Sequence, residues 1–173
     1  TLRFNRQKFH REFGELLITC DDKNYWRRDI YPYYKAGRRK ARESSEIDWN
    51  AVFTSLNRIR DELKTYFPYK VIQIETCEAD DIIATITKRA EKEGAEVLIC
   101  TGDRDSFQLV TKQTTVLYPK RGVSEMARMT PDAVQEKYGM SPEQYPDFAA
   151  LRGDPSDNLP SIPGVGEKTA AKW

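Results

Sequence analysis

Eight carboxylates from four separate segments carry the chemistry this chain offers. Glu78, Asp80 and Asp81 crowd together in CEADDIIA, Asp103 and Asp105 in TGDRDSF, Asp154 and Asp157 in RGDPSDN, and Asp21 follows the apolar run LLITC. One or two acids at a helix N-terminus are ordinary, because they face the positive end of the macrodipole. Three in one turn oppose one another, since like charges raise each other's pKa, and a cation relieves the conflict. Taken singly, each group reads as a cap or a turn. Taken jointly, at strand ends or in an adjoining loop, they read as ligands that face one metal site. Hydrolysing a phosphodiester at neutral pH needs an activated water and a stabilised leaving oxygen, and two divalent ions ~4 Å apart supply both. Mg²⁺ takes oxygen ligands and keeps several waters, so two Mg²⁺ ions suit this set, with Mn²⁺ as a substitute. A zinc site of His and Cys is short of ligands, with His10 the single histidine and Cys20, Cys77 and Cys100 scattered.

A second chemistry lies in YWRRDIYPYYKAGRRKAR, Tyr25 to Arg42, which carries seven Lys or Arg and one acid, Asp29. Trp26, Tyr31, Tyr33 and Tyr34 alternate with Arg27, Arg28, Lys35, Arg38 and Arg39. Rings offer stacking faces to unpaired bases, and cations grip phosphates. A solvated loop is the plainer account, but the mixture of types favours nucleic acid. Near the end, Gly164-Val165-Gly166 precedes Glu167 to Lys172. Such glycines leave N–H groups open beside a helix start, a site for phosphate with Lys168 and Thr169 close by.

The elements that must position these groups follow from periodicity. An amphipathic helix is expected over residues 1–13, and strands at Glu15–Cys20, Val71–Ile74, Val97–Cys100 and Thr115–Tyr118. Trp49 to Tyr66 places Trp49, Val52, Phe53, Leu56, Ile59, Leu63 and Tyr66 on one helical face, read as core, with Asp48 as N-cap. The acidic helix directs Ile82, Ile83 and Ile86 at the sheet and ends at Gly94. Pro32 and Gly37 break any long helix in the aromatic–basic stretch. Lys120 to Met129 reads as a hairpin or irregular connection. Thr130-Pro131 and Ser141-Pro142 each start a helix, with the hydroxyl as cap and Pro in the first position. Strand–helix alternation predicts a parallel α/β sheet with helices on both faces, with a small helical unit from about Thr130.

At 173 residues with 39% apolar content the chain suits one domain with a small appendage. The net charge of +1 excludes a global basic field as the reason for binding nucleic acid, so the basic strip and acidic clusters must act locally. Three cysteines beside apolar runs read as buried, reduced thiols of a cytosolic protein. No apolar run approaches the ~18 residues of a membrane span.

The motifs CEADDIIA, TGDRDSFQLV and LRGDPSDNLPSIPGVGEKTA resemble those of the 5′ nuclease superfamily, the flap endonucleases and the 5′ to 3′ exonuclease domain of bacterial DNA polymerase I. NYWRRDIYPYYKAGRRKARESSEIDW is more similar to the RNase H of T-even phages. The resemblance implies a PIN-like three-layer parallel sheet and two domains. Residues 1–129 would be the nuclease core, with an arch at 24–46, and 130–173 the start of a helical duplex-binding region. It implies that Asp21, Glu78, Asp80, Asp81, Asp103, Asp105, Asp154 and Asp157 hold the metals. Arg27, Lys35 and Arg38 would act at the scissile phosphate. Arg28, Tyr34 and Arg39 would grip the strand, and Gly164, Gly166 and Lys168 the duplex, with K⁺ near the two glycines. The family opens on a central strand bearing a further metal-binding Asp. This chain starts at Thr1 with a basic, aromatic segment and stops at Trp173, so a fragment lacking both ends is expected.

The function implied is a divalent-metal-dependent, structure-specific 5′ nuclease. It would cut 5′ flaps or RNA primers in replication and repair, in the cytoplasm of a bacterial or phage-infected cell. Its partners would be branched or nicked DNA, RNA–DNA hybrid and a DNA polymerase, with no membrane. Two alternatives stand beside it: a catalytically impaired nucleic-acid-binding fragment of the same fold, and a PIN-type ribonuclease.

Overall fold

In chain order the segments form α1 (Leu2–Phe13), β1 (Leu17–Cys20), α2 (Arg27–Ile30), α3 (Ala36–Glu43), α4 (Trp49–Tyr66), β2 (Lys70–Gln73), α5 (Ala79–Lys92) and β3 (Val97–Cys100). A 3₁₀ turn (Arg104–Leu109), β4 (Thr114–Arg121), β5 (Glu125–Met129), α6 (Pro131–Tyr138), a second 3₁₀ turn (Pro142–Gln144), α7 (Tyr145–Arg152) and α8 (Glu167–Ala170) follow. The structure is a computed structural model and describes residues 1–121 and 125–173. The chain divides into two units. Unit 1 comprises residues 1–13, 83–154 and 160–173, and unit 2 comprises residues 14–82 and 155–159.

Unit 2 contains a two-stranded parallel sheet in which Leu17 to Cys20 pair with Lys70 to Gln73 in register. Strong β-formers in LITC and VIQ explain the pairing. Asp48 caps α4 as expected, its side chain accepting from the Ala51 N–H at 3.0 Å. The apolar face of α4 is not core, however. No residue of α4 is buried, and Leu56, Ile59 and Tyr66 are 56%, 52% and 79% exposed. The periodicity is that of an amphipathic helix, but within unit 2 the sheet available to it is two strands wide. In the aromatic–basic stretch Pro32 separates α2 from α3, as anticipated. Gly37 lies inside α3 and does not interrupt it. A single helical glycine weakens a helix by only about 1 kcal/mol.

Unit 1 is built on β3-β4-β5. β3 and β4 are parallel, with Val97 to Cys100 opposite Thr114 to Leu117. β4 and β5 are antiparallel, with Val116 opposite Met129 and a bulge between Pro119 and Arg121. The all-parallel sheet expected from the sequence is therefore a mixed one. A short connection can join only antiparallel neighbours, whereas a parallel crossover needs a dozen residues or more. The hairpin reading of Lys120 to Met129 fits this pairing of β4 with β5, and residues 122–124 lie outside the described residues. The core gathers Ile99, Phe107, Val116, Val134, Tyr145 and Phe148. Thr130 caps α6 through the Ala133 N–H, and Gly139 closes it at φ 75°, a left-handed position that glycine adopts without strain. The Ser141-Pro142 start produces a 3₁₀ turn that leads directly into α7.

The three cysteines are unpaired, as expected. Cys20 and Cys77 are half-buried, and Cys100 is exposed rather than buried.

Candidate metal and nucleic-acid site

In unit 2 the start of α5 collects carboxylates, and protein cations meet them. Glu78, the residue before the helix, is 1% exposed. Its Oε2 accepts from Arg27 Nη1 at 3.0 Å, and its Oε1 accepts from Lys35 Nζ. The Tyr34 hydroxyl lies 3.0 Å from Glu78 Oε2 and 3.2 Å from Asp157 Oδ2. Asp81 takes both arms of Arg27, at 2.8 and 2.9 Å, the Trp26 indole at 3.1 Å and the Glu78 N–H at 2.9 Å. Arg38 Nη2 donates to Asp157 Oδ1, and Lys35 Nζ lies 3.9 Å from Asp157 Oδ2. Lys35 has a left-handed backbone, φ 55°, and its N–H donates to the Asp157 carbonyl at 2.9 Å. A non-glycine residue keeps such a conformation only where its surroundings over-determine it. Here the backbone and side chain of Lys35 are both anchored.

Three acids, Glu78, Asp81 and Asp157, thus match three cations, Arg27, Lys35 and Arg38. Burial raises the Asp81 carboxyl, but hydrogen bonds from Arg27, the Glu78 N–H and Trp26 outweigh it and hold the group below the usual carboxylate range. Burial, together with the Asp157 and Glu78 charges, pushes the Tyr34 hydroxyl well up. Asp21 caps the same helix start, its Oδ1 accepting from the Ala79 N–H at 2.7 Å. Asp80 and Asp21 are exposed. Arg28 is exposed with its guanidinium 5.0 Å from the Tyr25 ring centroid, and Arg39 pairs with Glu43 one turn away at 2.9 Å.

Unit 1 holds the other three acids. Asp103, Asp105 and Asp154 line a cleft of about 430 Å³ with Gly102, Arg104, Tyr118 and Arg152. Asp103 follows β3 and caps the 3₁₀ turn, its Oδ1 accepting from the Asp105 N–H at 2.9 Å. Asp154 is presented by Gly153, whose backbone has φ 72° and ψ 176°. A Cβ there would lie 2.6 Å from the Ser161 nitrogen. Tyr145 is wholly buried in the aromatic core. Burial pushes its hydroxyl up to about 12, although the Arg152 charge pulls it the other way. Gly164 has φ 79°, Gly166 precedes α8, and Lys168 is exposed on α8.

The expectation of one site faced by all eight acids is therefore not what the structure gathers within either unit. Asp21, Glu78, Asp80, Asp81 and Asp157 belong to unit 2, and Asp103, Asp105 and Asp154 to unit 1. Among the described residues no three or more His, Cys, Asp or Glu side chains are grouped so that they could hold an ion. The donor types fit a hard cation. In unit 2, however, guanidinium and ammonium groups already neutralise the carboxylates. Trp26, expected as a stacking ring, instead donates to Asp81, and Gly153 and Glu167 are functional residues that the sequence reading misses. The glycine leaves a sequence signal, since Gly-Asp in a polar loop marks a special backbone position. Glu167 leaves none.

Comparison with known proteins places the chain. A family model described as "5'-3' exonuclease, N-terminal resolvase-like domain" matches residues 5–139, and one described as "5'-3' exonuclease, C-terminal SAM fold" matches residues 140–173. DNA polymerase I of Mycobacterium tuberculosis is 55% identical over 145 residues, 83% of this chain but 15% of that protein. DNA polymerase I of Bacillus caldotenax is 40% identical over 174 residues, 99% of this chain and 19% of that protein. The chain thus spans less than a fifth of the length of these relatives. The T5 D15 protein co-crystallised with metal ions superposes with a TM-score of 0.83 at 20% identity, covering 99% of this chain and 64% of that one. The T5 D15 flap endonuclease in complex with DNA and metal ions gives 0.80 at 21% identity, covering 98% and 62%. At these identities the likeness shows a shared fold. The two family models together run from residue 5 to the last residue, and on that match the chain belongs to the 5′-3′ exonuclease family.

Proposed function

We propose that the chain is the nuclease part of a divalent-metal-dependent, structure-specific 5′ nuclease that hydrolyses phosphodiesters in 5′ flaps or RNA primers. The observation that carries this reading is the cleft of unit 1. There Asp103 and Asp105, just past β3, line one cleft with Asp154 from a distant segment, in a chain of the 5′-3′ exonuclease family. Asp103, Asp105 and Asp154 would hold an ion once their side chains draw in around it, since as they stand they are not grouped closely enough to coordinate one. Within unit 2, Asp21, Glu78, Asp80, Asp81 and Asp157 would serve as metal ligands where Arg27, Lys35 and Arg38 turn to phosphate instead. When bound, divalent ions activate a water and stabilise the leaving oxygen, and two Mg²⁺, or Mn²⁺, suit an all-oxygen donor set.

The protein's own groups do the rest. Lys35 and Arg38, with Arg27, supply the positive charge for the scissile phosphate. The exposed Arg28 and Arg39 face the single strand, whereas Tyr34, expected to grip it too, is buried with its hydroxyl on Glu78 and Asp157. Gly164, Gly166 and Lys168 hold duplex phosphates, with K⁺ at the glycines. The T5 flap endonuclease was seen with DNA and metal ions, and the Mycobacterium and Bacillus relatives are DNA polymerases. Branched or nicked DNA, RNA–DNA hybrid and an adjoining polymerase are therefore the partners proposed, and the cytoplasm that holds replicating DNA is the proposed location. No helix among the described residues is long and apolar enough to cross a membrane. PIN-like remains our description of the fold, and 1–129 and 130–173 our division into core and duplex-binding region.

A labelled 5′-flap duplex tests the reading. Cutting near the junction with Mg²⁺, none with EDTA, and loss of cutting without loss of binding in Asp103→Asn are the expected results. An unchanged rate in Asp103→Asn would overturn the metal assignment. Unit 2 favours a second reading, a binding fragment that does not turn over, because Glu78, Asp81 and Asp157 each already hold a cation. Binding without cutting at every Mg²⁺ concentration would establish it.

A further inference from the structure

Two guanidiniums in the unit 1 cleft converge on one carboxylate oxygen. Arg104 Nη1 lies 3.5 Å and Arg152 Nη1 3.6 Å from Glu167 Oε1. A strong charge-assisted N–H···O contact is shorter, about 2.7–2.9 Å, so Glu167 is loosely held. Its side chain is also 56% exposed.

Arg152 is held from behind, and Arg104, 46% exposed, more loosely. Arg104 Nε donates to the Tyr118 hydroxyl at 3.4 Å. Arg152 Nε donates to the Gly153 carbonyl at 3.2 Å, and its guanidinium lies 5.4 Å from the Phe148 ring centroid. Arg152 is 20% exposed. Two pre-oriented guanidiniums that share one acceptor form the arrangement that phosphate oxygens fill, because the fork of arginine matches phosphate geometry and stays charged at every working pH. The cleft beside them contains three carboxylates that repel a polyanion. Two positive charges lining the same cleft offset that repulsion.

We propose that Arg104 and Arg152 form a phosphate clamp for a nucleic-acid backbone in the unit 1 cleft, and that Glu167 is the intramolecular anion that fills the clamp until a phosphate displaces it. The proposal rests on the functional reading above only in taking nucleic acid as the ligand. It does not depend on whether the aspartates hold metal or the chain cuts. Charge balance is kept, since one exposed carboxylate leaves as one phosphodiester arrives.

Binding is measured on the full chain with a fluorescent 5′-flap duplex in EDTA, over a series of KCl concentrations. Each phosphate gripped by a cation contributes about 0.9 to the slope of log affinity against log salt. Arg104→Gln/Arg152→Gln should weaken binding at least tenfold at low salt and lower the slope by one to two, about one for each phosphate released from an arginine. Glu167→Gln should tighten binding about threefold to tenfold, and that gain should vanish in the Arg104→Gln/Arg152→Gln background. The proposal is overturned if Glu167→Gln tightens binding equally in both backgrounds, which is general charge repulsion, or if Arg104→Gln/Arg152→Gln keeps the parental slope. It is also overturned if the chain fails to bind the duplex at low salt. Far-UV circular dichroism and urea midpoints check folding. Should the glutamine pair unfold, Arg104→Lys/Arg152→Lys carries the test, because keeping the charge while losing the fork should keep the slope and weaken binding. Loss of cutting with these binding results intact would overturn only the nuclease reading.

Discussion

Unit 2 and unit 1 both gather acids beside arginines, yet they neutralise them differently. In unit 2 Glu78 is buried, and Asp81 and Asp157 are 21% and 15% exposed, each closed by a short contact to Arg27, Lys35 or Arg38. In unit 1 Asp103 and Asp105 are exposed, and the arginines sit at 3.5 and 3.6 Å from a carboxylate that lies mostly in water. Burial explains the contrast. A carboxylate removed from water is tolerated only with a close counter-charge, whereas one at a cleft mouth keeps its hydration. The same residue types thus yield a structural ion cluster in one place and an open polar cleft in another.

The sharpest way to break this contrast is to remove a buried counter-charge. Lys35→Met leaves the buried Glu78 with Arg27 as its remaining cation and should lower stability by about 2–4 kcal/mol in urea unfolding, with much of that regained in Lys35→Met/Glu78→Gln. A loss under about 1 kcal/mol would mean the pair is solvated, as in the cleft, and the contrast would fail. In unit 1 the largest effect should come from the backbone. Gly153→Ala forces a Cβ to 2.6 Å from the Ser161 nitrogen at φ 72° and should lose about 2–3 kcal/mol, with Asp154 and Arg152 displaced and cleft binding weakened.

A smaller effect concerns Glu91 on α5, whose Oε1 accepts from Thr111 at 2.5 Å and Thr114 at 2.7 Å. Burial raises its pKa, but the two threonine hydroxyls and Lys88 outweigh burial and set it below 4.5. A depressed carboxyl stabilises the fold above its ordinary pKa, and that contribution is lost as pH falls through the lower folded value. Glu91→Gln should therefore cost about 1 kcal/mol at pH 7 and flatten the fall in stability below pH 4.5, measured by urea midpoints across pH. The smallest effect belongs to Arg39→Ala, which removes a pair between the 88%-exposed Arg39 and the 63%-exposed Glu43 and should not shift the urea midpoint measurably.

Much of the fold could be read from local pattern. The caps at Asp48 and Thr130, the glycine end of α6 and the apolar strands VLIC and TVLY fall where propensity and turn chemistry put them. The antiparallel direction of β5 and the uncovered face of α4 could not be read, since both depend on which neighbour is present. At the site, Glu78, Asp81 and Asp157 were legible as unusual acids. Their partners were not, because Arg27, Lys35 and Arg38 are dozens of residues away in sequence and were assigned to nucleic acid.

By itself the sequence determined the inventory: which acids, cations and rings exist, and which of them sit at strand ends and helix starts. Those follow from short-range sterics and hydrogen bonding, which act within a few residues. Only the tertiary structure decided which acid meets which cation. Desolvation and Coulomb energy depend on distance in space, and a residue's separation along the chain does not set that distance.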